Sequence, residues 1–311
     1  MKKFLHKNIL IAGQTGSGKS NFMHKLLGTL LEENSPNDLR LILIDPKRVE
    51  FAIYNGLAHL LAEVIYESGK ATSAFRWAWG ESLSRLKQIE ELHIASIYEY
   101  NKNRYINNKL PEILIVIDEA ADLMVFDKKF FENHIKKITA LSSITGIYLI
   151  FSTSRPSPEH IITKKIRECF LDRIAFKLAS EKESILVIGE KGAEKLSNLG
   201  SCLIKNLTGY KSKSFQMPYI SEGEIGEIIK NAKDKYKDFK FLETSNNEET
   251  DVLYEAAKNI AIEMGKISSS LLQRKLRVGY SRAARLVDML EEGGIIGSAK
   301  GSVAREVISK E

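Results

Sequence analysis

The first two thirds of the chain alternate short apolar runs with longer segments in which apolar residues recur at helical spacing. Apolar runs without polar alternation are typical of strands covered on both faces, so the pattern predicts an α/β domain with a mostly parallel sheet. The predicted strands are residues 8–12, 39–44, 62–65, 113–117, 147–151 and 173–177. The predicted helices are residues 19–32, 73–103, 130–144 and 184–187, and residues 201–207 and 213–218 predict an antiparallel hairpin.

The pattern changes after Ile229. Residues 231–250 are polar, mixed in charge and poor in aliphatic side chains, and predict a linker. Helical spacing returns from residue 251, followed by two shorter predicted helices (268–277 and 281–292) and a glycine-containing hairpin (293–308). Three short helices and a β-wing are typical of a small winged helix-turn-helix. We therefore predict two domains, residues 1–230 and 251–311, joined by the linker.

The first predicted strand runs into a glycine-rich loop that opens the first predicted helix. It matches G-x-x-x-x-G-K-[ST] in the strand–loop–helix setting that this phosphate-binding motif requires. The loop consists of Gly13, Gln14, Thr15, Gly16, Ser17, Gly18, Lys19 and Ser20. Glycines let backbone N–H groups turn toward a phosphate, and the helix N-terminus adds positive potential. We expect Lys19 to reach the β- and γ-phosphates of ATP, and Ser20 to place its hydroxyl on Mg²⁺.

Two carboxylates follow the predicted strand 113–117. We expect Asp118 to bind Mg²⁺, and Glu119 to orient and deprotonate the attacking water. The next predicted strand, 147–151, leads into Ser154 and Arg155. A polar side chain there can sense the γ-phosphate; an ordinary strand exit with a capping hydroxyl is the alternative. The predicted catalytic residues are Lys19, Glu119, Ser154 and Arg155.

The carboxyl-terminal helices concentrate positive charge. Six basic residues and no acidic ones lie between Glu263 and Asp288. In the helix 281–292, four apolar residues can face the core: Ala283, Leu286, Val287 and Leu290. Exposed guanidinium and ammonium groups on a helix-turn-helix and its wing can bind base edges or phosphates of double-stranded DNA. The predicted DNA-binding residues are Arg274, Lys275, Arg277, Ser281, Arg282, Arg285, Lys300 and Arg305.

Composition and charge limit the binding partners and the cellular location that we expect for this chain. The chain is 43% hydrophobic and 28% charged, which is ordinary for a folded soluble protein. Its net charge of +6 fits a polyanionic partner where that charge is clustered. Cys169 and Cys202 form no C-x-x-C pair, which argues against a zinc ribbon or a redox motif. The apolar runs are too short to cross a bilayer, so we expect no membrane segment and a cytoplasmic location.

Seven stretches carry a family resemblance. They are HKNILIAGQTGSGKS, LILIDPKRVEFAIYNGLAHLLAEVIYE, ILIVIDEAADLM, STSRPSPEHIITKKI, DRIAFKLAS, GAEKLSNLG and ISSSLLQRKLRVGYSRAARLVDMLEEGGIIG. The first six resemble the motor of the FtsK/SpoIIIE family of double-stranded DNA translocases, and the last resembles its γ domain. The resemblance implies a RecA-like P-loop ATPase, usually a hexameric ring around duplex DNA, with a winged helix that reads a short orienting sequence. It also places Asp45-Pro46-Lys47 in a family signature, without a role.

The resemblance has departures. Membrane helices and an amino-terminal α subdomain, which larger family members carry, are expected to be absent. The γ-phosphate sensor of the family is typically Gln, where this chain has Ser154, and its trans-acting arginine finger falls at Ser143. Either hydrolysis is slow, or Arg155, Arg173 or Lys137 substitutes, or a partner supplies the cation.

The leading function predicted from the sequence is an ATP-dependent double-stranded DNA translocase that is homo-oligomeric. One alternative is a secretion or conjugation coupling ATPase of the same superfamily, against which the carboxyl-terminal winged helix counts. Another is a DNA-binding regulator switched by nucleotide, which would bind ATP with negligible hydrolysis.

Overall fold

The computed structural model describes residues 6–91, 93–102, 109–197, 199–206, 211–239, 254–276, 280–297 and 305–308. The chain divides into two compact units, Met1–Phe239 and Lys240–Glu311. Among the described residues, no helix has both the length and the apolar character needed to cross a membrane.

The first unit contains a seven-stranded sheet. Its strands are β1 (Ile9–Ala12), β2 (Leu39–Ile44), β3 (Glu112–Ile117), β4 (Ile147–Thr153), β5 (Asp172–Ala175), β6 (Ser201–Lys205) and β7 (Lys213–Gln216), in the spatial order β2-β3-β4-β1-β5-β6-β7. The first five are parallel to one another, and β6 and β7 add an antiparallel edge beside β5. The predicted mostly parallel sheet and its terminal hairpin are confirmed.

Helices cover both faces of this sheet. They are α1 (Lys19–Glu33), α2 (Ser68–Glu91), α3 (Ile97–Lys102), α4 (Ala120–Thr145), α5 (Lys164–Cys169), α6 (Glu181–Ile188) and α7 (Glu222–Lys235). Because successive strand residues point to opposite faces, alternate residues feed two separate cores. One core lies against α2, α4, α5 and α6, and the other lies against α1 and α7. The double covering explains why the parallel strands are apolar throughout.

The strand order determines where the polar residues meet. Since β4 lies between β1 and β3, the ends of these three strands are adjacent at the carboxyl edge, with Ala12 opposite Thr153 and Ile117 opposite Phe151. The glycine-rich loop follows β1, the acidic pair follows β3, and Ser154 follows β4. Ligand sites of open α/β sheets lie at this edge.

Two predicted helices have different limits in the structure. The helix predicted over 73–103 is two helices, with α2 ending at Glu91 and α3 starting at Ile97. The helix predicted over 130–144 starts at Ala120 instead and is interrupted at Asp127, whose backbone is non-helical (φ −152°, ψ 85°). The Asp127 carboxylate accepts a hydrogen bond from the Phe130 N–H at 3.0 Å, which caps the helical stretch that follows.

The strand predicted over 62–65 is also wrong. This segment runs beside β2 but forms only an isolated bridge, between Ile44 and Ile65. The N–H groups of Leu61 and Ile65 donate to the carbonyls of Leu41 and Leu43, both at 2.9 Å, so four residues of the segment span two of β2 and no continuous ladder forms.

The predicted linker, 231–250, begins later in the structure. Helix α7 continues to Lys235, Ala232 is buried, and the Tyr236 ring lies 5.4 Å from the His59 ring, centre to centre. Residues 231–239 therefore pack on the first unit, and residues 240–250 lie outside the described residues.

The second unit is a small helical unit with a short two-stranded sheet. Its elements are α8 (Tyr254–Met264), β8 (Lys266–Ile267), α9 (Ser269–Leu276), α10 (Tyr280–Glu292) and β9 (Arg305–Glu306). Strands β8 and β9 are antiparallel, as in the predicted three helices with a wing. The four apolar residues predicted to face the core of α10 are all buried: Ala283, Leu286, Val287 and Leu290. The middle of the predicted wing, 298–304, lies outside the described residues.

Candidate functional site

The glycine-rich loop has the backbone that its sequence predicts. Gly16 (φ 78°) and Gly18 (φ 98°) are left-handed, and Gly18 precedes the first residue of α1 without a side chain to cap the helix. A Cβ on Gly13 would lie 2.6 Å from Ser17 Oγ, and a Cβ on Gly18 would lie 2.7 Å from the Gly200 nitrogen. Side chains at these two positions would therefore clash with the loop or with the start of β6.

The interior of the loop offers a hydroxyl without a partner. Ser17 Oγ is buried and has no hydrogen-bond partner among the described residues, although the Ser17 N–H donates to the Gln14 carbonyl at 3.1 Å. A glycine cradle that holds a free hydroxyl fits a phosphate oxygen. Ser20 and Asp118 offer hydroxyl and carboxylate oxygens, the ligands that Mg²⁺ takes in proteins.

Lys19 and Asp118 form a buried ion pair. Lys19 Nζ donates to Asp118 Oδ1 at 2.8 Å and to Ser152 Oγ at 3.0 Å, and both charged residues are less than 10% exposed. Burial raises the pKa of Asp118 above its usual value, and the Lys19 ammonium opposes that shift. The structure thus brings together the residues predicted to bind phosphate and metal, whose roles stay predictions.

The buried side chain of Glu119 accepts hydrogen bonds from three residues. It has a left-handed backbone (φ 52°) at the start of α4 and is 3% exposed. Its carboxylate accepts hydrogen bonds from Thr153 Oγ1 at 2.7 Å, from the Ser154 N–H and hydroxyl, and from Lys47 Nζ at 3.1 Å. Burial alone would raise its pKa, but these hydrogen bonds outweigh burial and hold the pKa of Glu119 below its usual value.

The residue that sequence reasoning missed is Lys47. The signature Asp45-Pro46-Lys47 follows β2, so it reaches the same sheet edge as Glu119. The position of Lys47 shortly after a strand could have indicated it, because residues that follow a parallel strand reach this edge of the sheet.

The same segment continues to Glu50. Hydrogen bonds from His24 and, more weakly, from Ser20 hold the pKa of Glu50 below its usual value despite burial.

Ser154 and Arg155 are placed differently from each other. Ser154, the predicted γ-phosphate sensor, donates to the Glu119 carboxylate. Arg155 has an exposed side chain, and its N–H donates to Thr153 Oγ1 at 3.2 Å. Both residues lie at the site, and their predicted catalytic roles remain untested.

Comparison with protein families agrees with this geometry. The sequence model of the FtsK/SpoIIIE family matches residues 2–158, which contain the loop, the acidic pair and Ser154. The chain belongs to the FtsK/SpoIIIE family. A second model, the Ftsk gamma domain, matches residues 248–310.

Curated relatives and solved structures agree with this membership. The chain is 38% identical over 309 residues to the DNA translocase FtsK of Caldanaerobacter subterraneus subsp. tengcongensis, covering 97% of this chain and 43% of that protein. With the DNA translocase FtsK of Clostridium tetani the identity is 39%, covering 97% of this chain and 42% of that protein. The chain therefore spans about two fifths of the length of these relatives (43% and 42%).

A solved structure supports the fold of the first unit. The pCW3 conjugation coupling protein TcpA, in its monomer form with ATPγS, superposes with a TM-score of 0.64 at 29% identity. The match covers 74% of this chain and 66% of that one. The predicted α/β, RecA-like P-loop fold is confirmed.

In this FtsK/SpoIIIE chain, the candidate cations for the arginine finger differ in position. Arg173 is half-buried at the start of β5 and donates to the carbonyls of Phe170 and Arg167, both at 2.8 Å. Lys137 Nζ lies 5.1 Å from the centre of the Trp79 ring. Of the three proposed substitutes, Arg155 alone directly follows a residue that contacts Glu119.

The predicted DNA-binding residues of this FtsK/SpoIIIE chain fall into three groups. Arg274 and Lys275 are exposed at the end of α9, and Arg285 is exposed on α10. Arg305 instead forms ion pairs with Glu291 and, at 3.4 Å, with Asp288. The others are outside what the structure describes: Arg277 and Lys300 entirely, and the side chains of Ser281 and Arg282.

Proposed function

We propose that this chain is the motor and DNA-orienting part of an ATP-dependent double-stranded DNA translocase. One observation carries the proposal: the glycine-rich loop lies beside a buried Lys19–Asp118 pair and a buried, ionised Glu119. Membership of a family whose curated relatives are called DNA translocases supports the choice of DNA as substrate.

The chemistry is hydrolysis of ATP to ADP and phosphate. Glu119 takes a proton from a water whose oxygen bonds to the γ-phosphorus, while the bond from that phosphorus to the β–γ bridging oxygen breaks. Lys19 neutralises charge on the β- and γ-phosphates. Mg²⁺, held by Ser20 and Asp118, would stabilise the negative charge on the phosphate oxygens.

The proposed binding of DNA rests on the second unit. Arg274, Lys275 and Arg285 expose positive charge on α9 and α10, and the gamma-domain match covers these helices. These side chains would bind phosphates and base edges and so orient loading. The working form would be a cytoplasmic homo-oligomer, a hexameric ring by family resemblance, in which Arg155 is our candidate for a trans-acting cation.

The test combines ATPase and movement assays. We expect long duplex DNA to stimulate ATP hydrolysis, and we expect the chain to displace a triplex-forming strand. Glu119→Gln should lower kcat by about 10²–10⁴-fold while ATP binding persists. Stimulated hydrolysis without displacement would contradict translocation, and ATP binding with negligible hydrolysis would favour the nucleotide-switched regulator.

A second candidate is a conjugation coupling ATPase. The similarity to TcpA, at 29% identity, favours it. The gamma-domain match over residues 248–310 counts against it, since in our proposal this domain orients the motor on DNA. Triplex displacement that depends on residues 251–311 would exclude this second candidate.

A further inference from the structure

A rigid turn follows β2 and projects toward the acidic pair. Asp45 is fully buried, and its N–H donates to the Ile65 carbonyl at 2.9 Å. Its Oδ2 accepts the N–H groups of Glu50 and Phe51, both at 2.9 Å. One carboxylate therefore ties both ends of the segment 45–51 together, which fixes the point from which Lys47 leaves the backbone.

Lys47 reaches across the sheet edge to Glu119. Its ammonium donates to Glu119 Oε2 at 3.1 Å, although the two residues are 72 positions apart in the chain. The other groups that donate to Glu119 are the hydroxyls of Thr153 and Ser154 and the N–H of Ser154. Within the part of the chain that the structure describes, Lys47 supplies the charged partner of this carboxylate.

The two ends of the ion pair differ in their surroundings. Glu119 is 3% exposed, whereas the Lys47 side chain is 44% exposed. A buried carboxylate that loses its cationic partner loses much of the compensation for its desolvation, so the orientation of Glu119 depends strongly on the charged hydrogen bond from Lys47. Thr153 and Ser154 both approach from the end of β4, and Lys47 approaches from the end of β2. Removing Lys47 therefore leaves Glu119 held from one side.

We propose that Lys47 is a positioning residue that aims the Glu119 carboxylate at the attacking water. The inference rests on the proposed ATP hydrolysis and deepens it. Lys47 acts through Glu119 and not on the nucleotide, so its loss should slow turnover without weakening ATP binding. Asp45 supports it by fixing the turn.

The experiment compares substitutions at Lys47 with one at its neighbour. Lys47→Met keeps much of the side-chain length and removes the charge, and we expect kcat to fall about 10–100-fold with KM changed less than about threefold. Lys47→Arg should restore most of kcat because it can still donate to Oε2. Arg48→Met is the matched control: Arg48 is exposed, and its guanidinium lies 5.0 Å from the Tyr66 ring centre instead of at the carboxylate.

A second measurement separates a positioning role from a general effect. In a Glu119→Gln background, Lys47→Met should change the residual single-turnover rate less than about twofold, because the group it acts through is gone. Thermal unfolding and fluorescent ATP binding, measured on every variant, identify any that fail to fold or bind.

The possible outcomes distinguish the two proposals. A parent chain that hydrolyses ATP no faster than Glu119→Gln would refute the proposed function. An active parent with unchanged kcat in Lys47→Met would refute only the role of Lys47. A rise in KM alone, an additive loss in the double variant, or failure of Lys47→Arg to recover activity would likewise overturn it.

Discussion

The two units handle charge in opposite ways. In the first, Lys19 and Asp118 are buried and paired with each other, and Glu119 is buried and paired with Lys47, whose own side chain is partly exposed. In the second, Arg274, Lys275 and Arg285 are exposed around a small apolar core. Burial fixes geometry and strengthens each electrostatic contact, which suits a bond-breaking step. Exposure leaves long side chains able to adjust to a large polyanion, whose attraction acts at a distance.

The largest effect should follow from breaking the buried pair. We expect Lys19→Met to reduce ATP hydrolysis to background, because it removes the ammonium that the glycine-rich loop motif places at the β- and γ-phosphates. Leaving Asp118 without its partner should also lower the free energy of unfolding by about 3–5 kcal/mol. ATPase assays and chemical denaturation measure both effects. Lys25→Met, on the same helix, is the control, and equal behaviour of the two variants would contradict the buried pairing.

The next effect tests whether the second unit depends on its small core. Ten described apolar residues form it, and Leu286 is fully buried among them. Leu286→Ala should destabilise this unit by about 2–5 kcal/mol. We expect duplex binding to weaken while ATP hydrolysis without DNA stays unchanged, as followed by unfolding and DNA-binding titrations. Met264→Ala, at a 43% exposed position, is the control. An equal loss of basal hydrolysis would show that the units do not work separately.

A smaller effect distinguishes base from phosphate contacts. Arg285→Ala should weaken binding by about 1–3 kcal/mol if the guanidinium reads a base, and only at one position of the DNA sequence. Binding to a set of singly substituted duplexes measures this. A uniform loss across all duplexes would indicate a phosphate contact instead.

The smallest effect concerns Arg305, the predicted DNA-binding residue already paired with carboxylates. Because it is neutralised by Glu291 and Asp288, Arg305→Ala should change duplex affinity less than Arg285→Ala does. Partly exposed ion pairs contribute little, so stability should fall by no more than about 1 kcal/mol. A loss of affinity equal to that of Arg285→Ala would show that Arg305 exchanges its partners for DNA.

The strands and the loop were predictable because their signals are local. A strand that is covered on both faces is an apolar run without polar alternation, and the phosphate-loop motif specifies which residue types stand at its fixed positions. Four of the predicted strands lie within a residue or two of β1 to β4, and the loop glycines have the expected backbone.

Other features depended on contacts that sequence spacing does not reveal. The break between α2 and α3 lies inside a stretch that retains helical apolar spacing, and the interruption at Asp127 depends on a single capping carboxylate. Ser154 was predicted to face a phosphate, and the structure has it donating to Glu119. The position of Lys47 after β2 indicates the sheet edge that it reaches, but nothing in either local sequence pairs it with Glu119, 72 positions away.

The approach of Gly18 to Gly200 has a mechanical consequence. The Gly200 N–H donates to the Ser17 carbonyl at 3.0 Å, and a methyl group on Gly18 would collide with the Gly200 backbone. The backbone of the glycine-rich loop is thus hydrogen-bonded directly to the residue that precedes the antiparallel strand β6. Neither glycine has a side chain that could absorb a shift of the loop, so we expect such a shift to displace the start of β6.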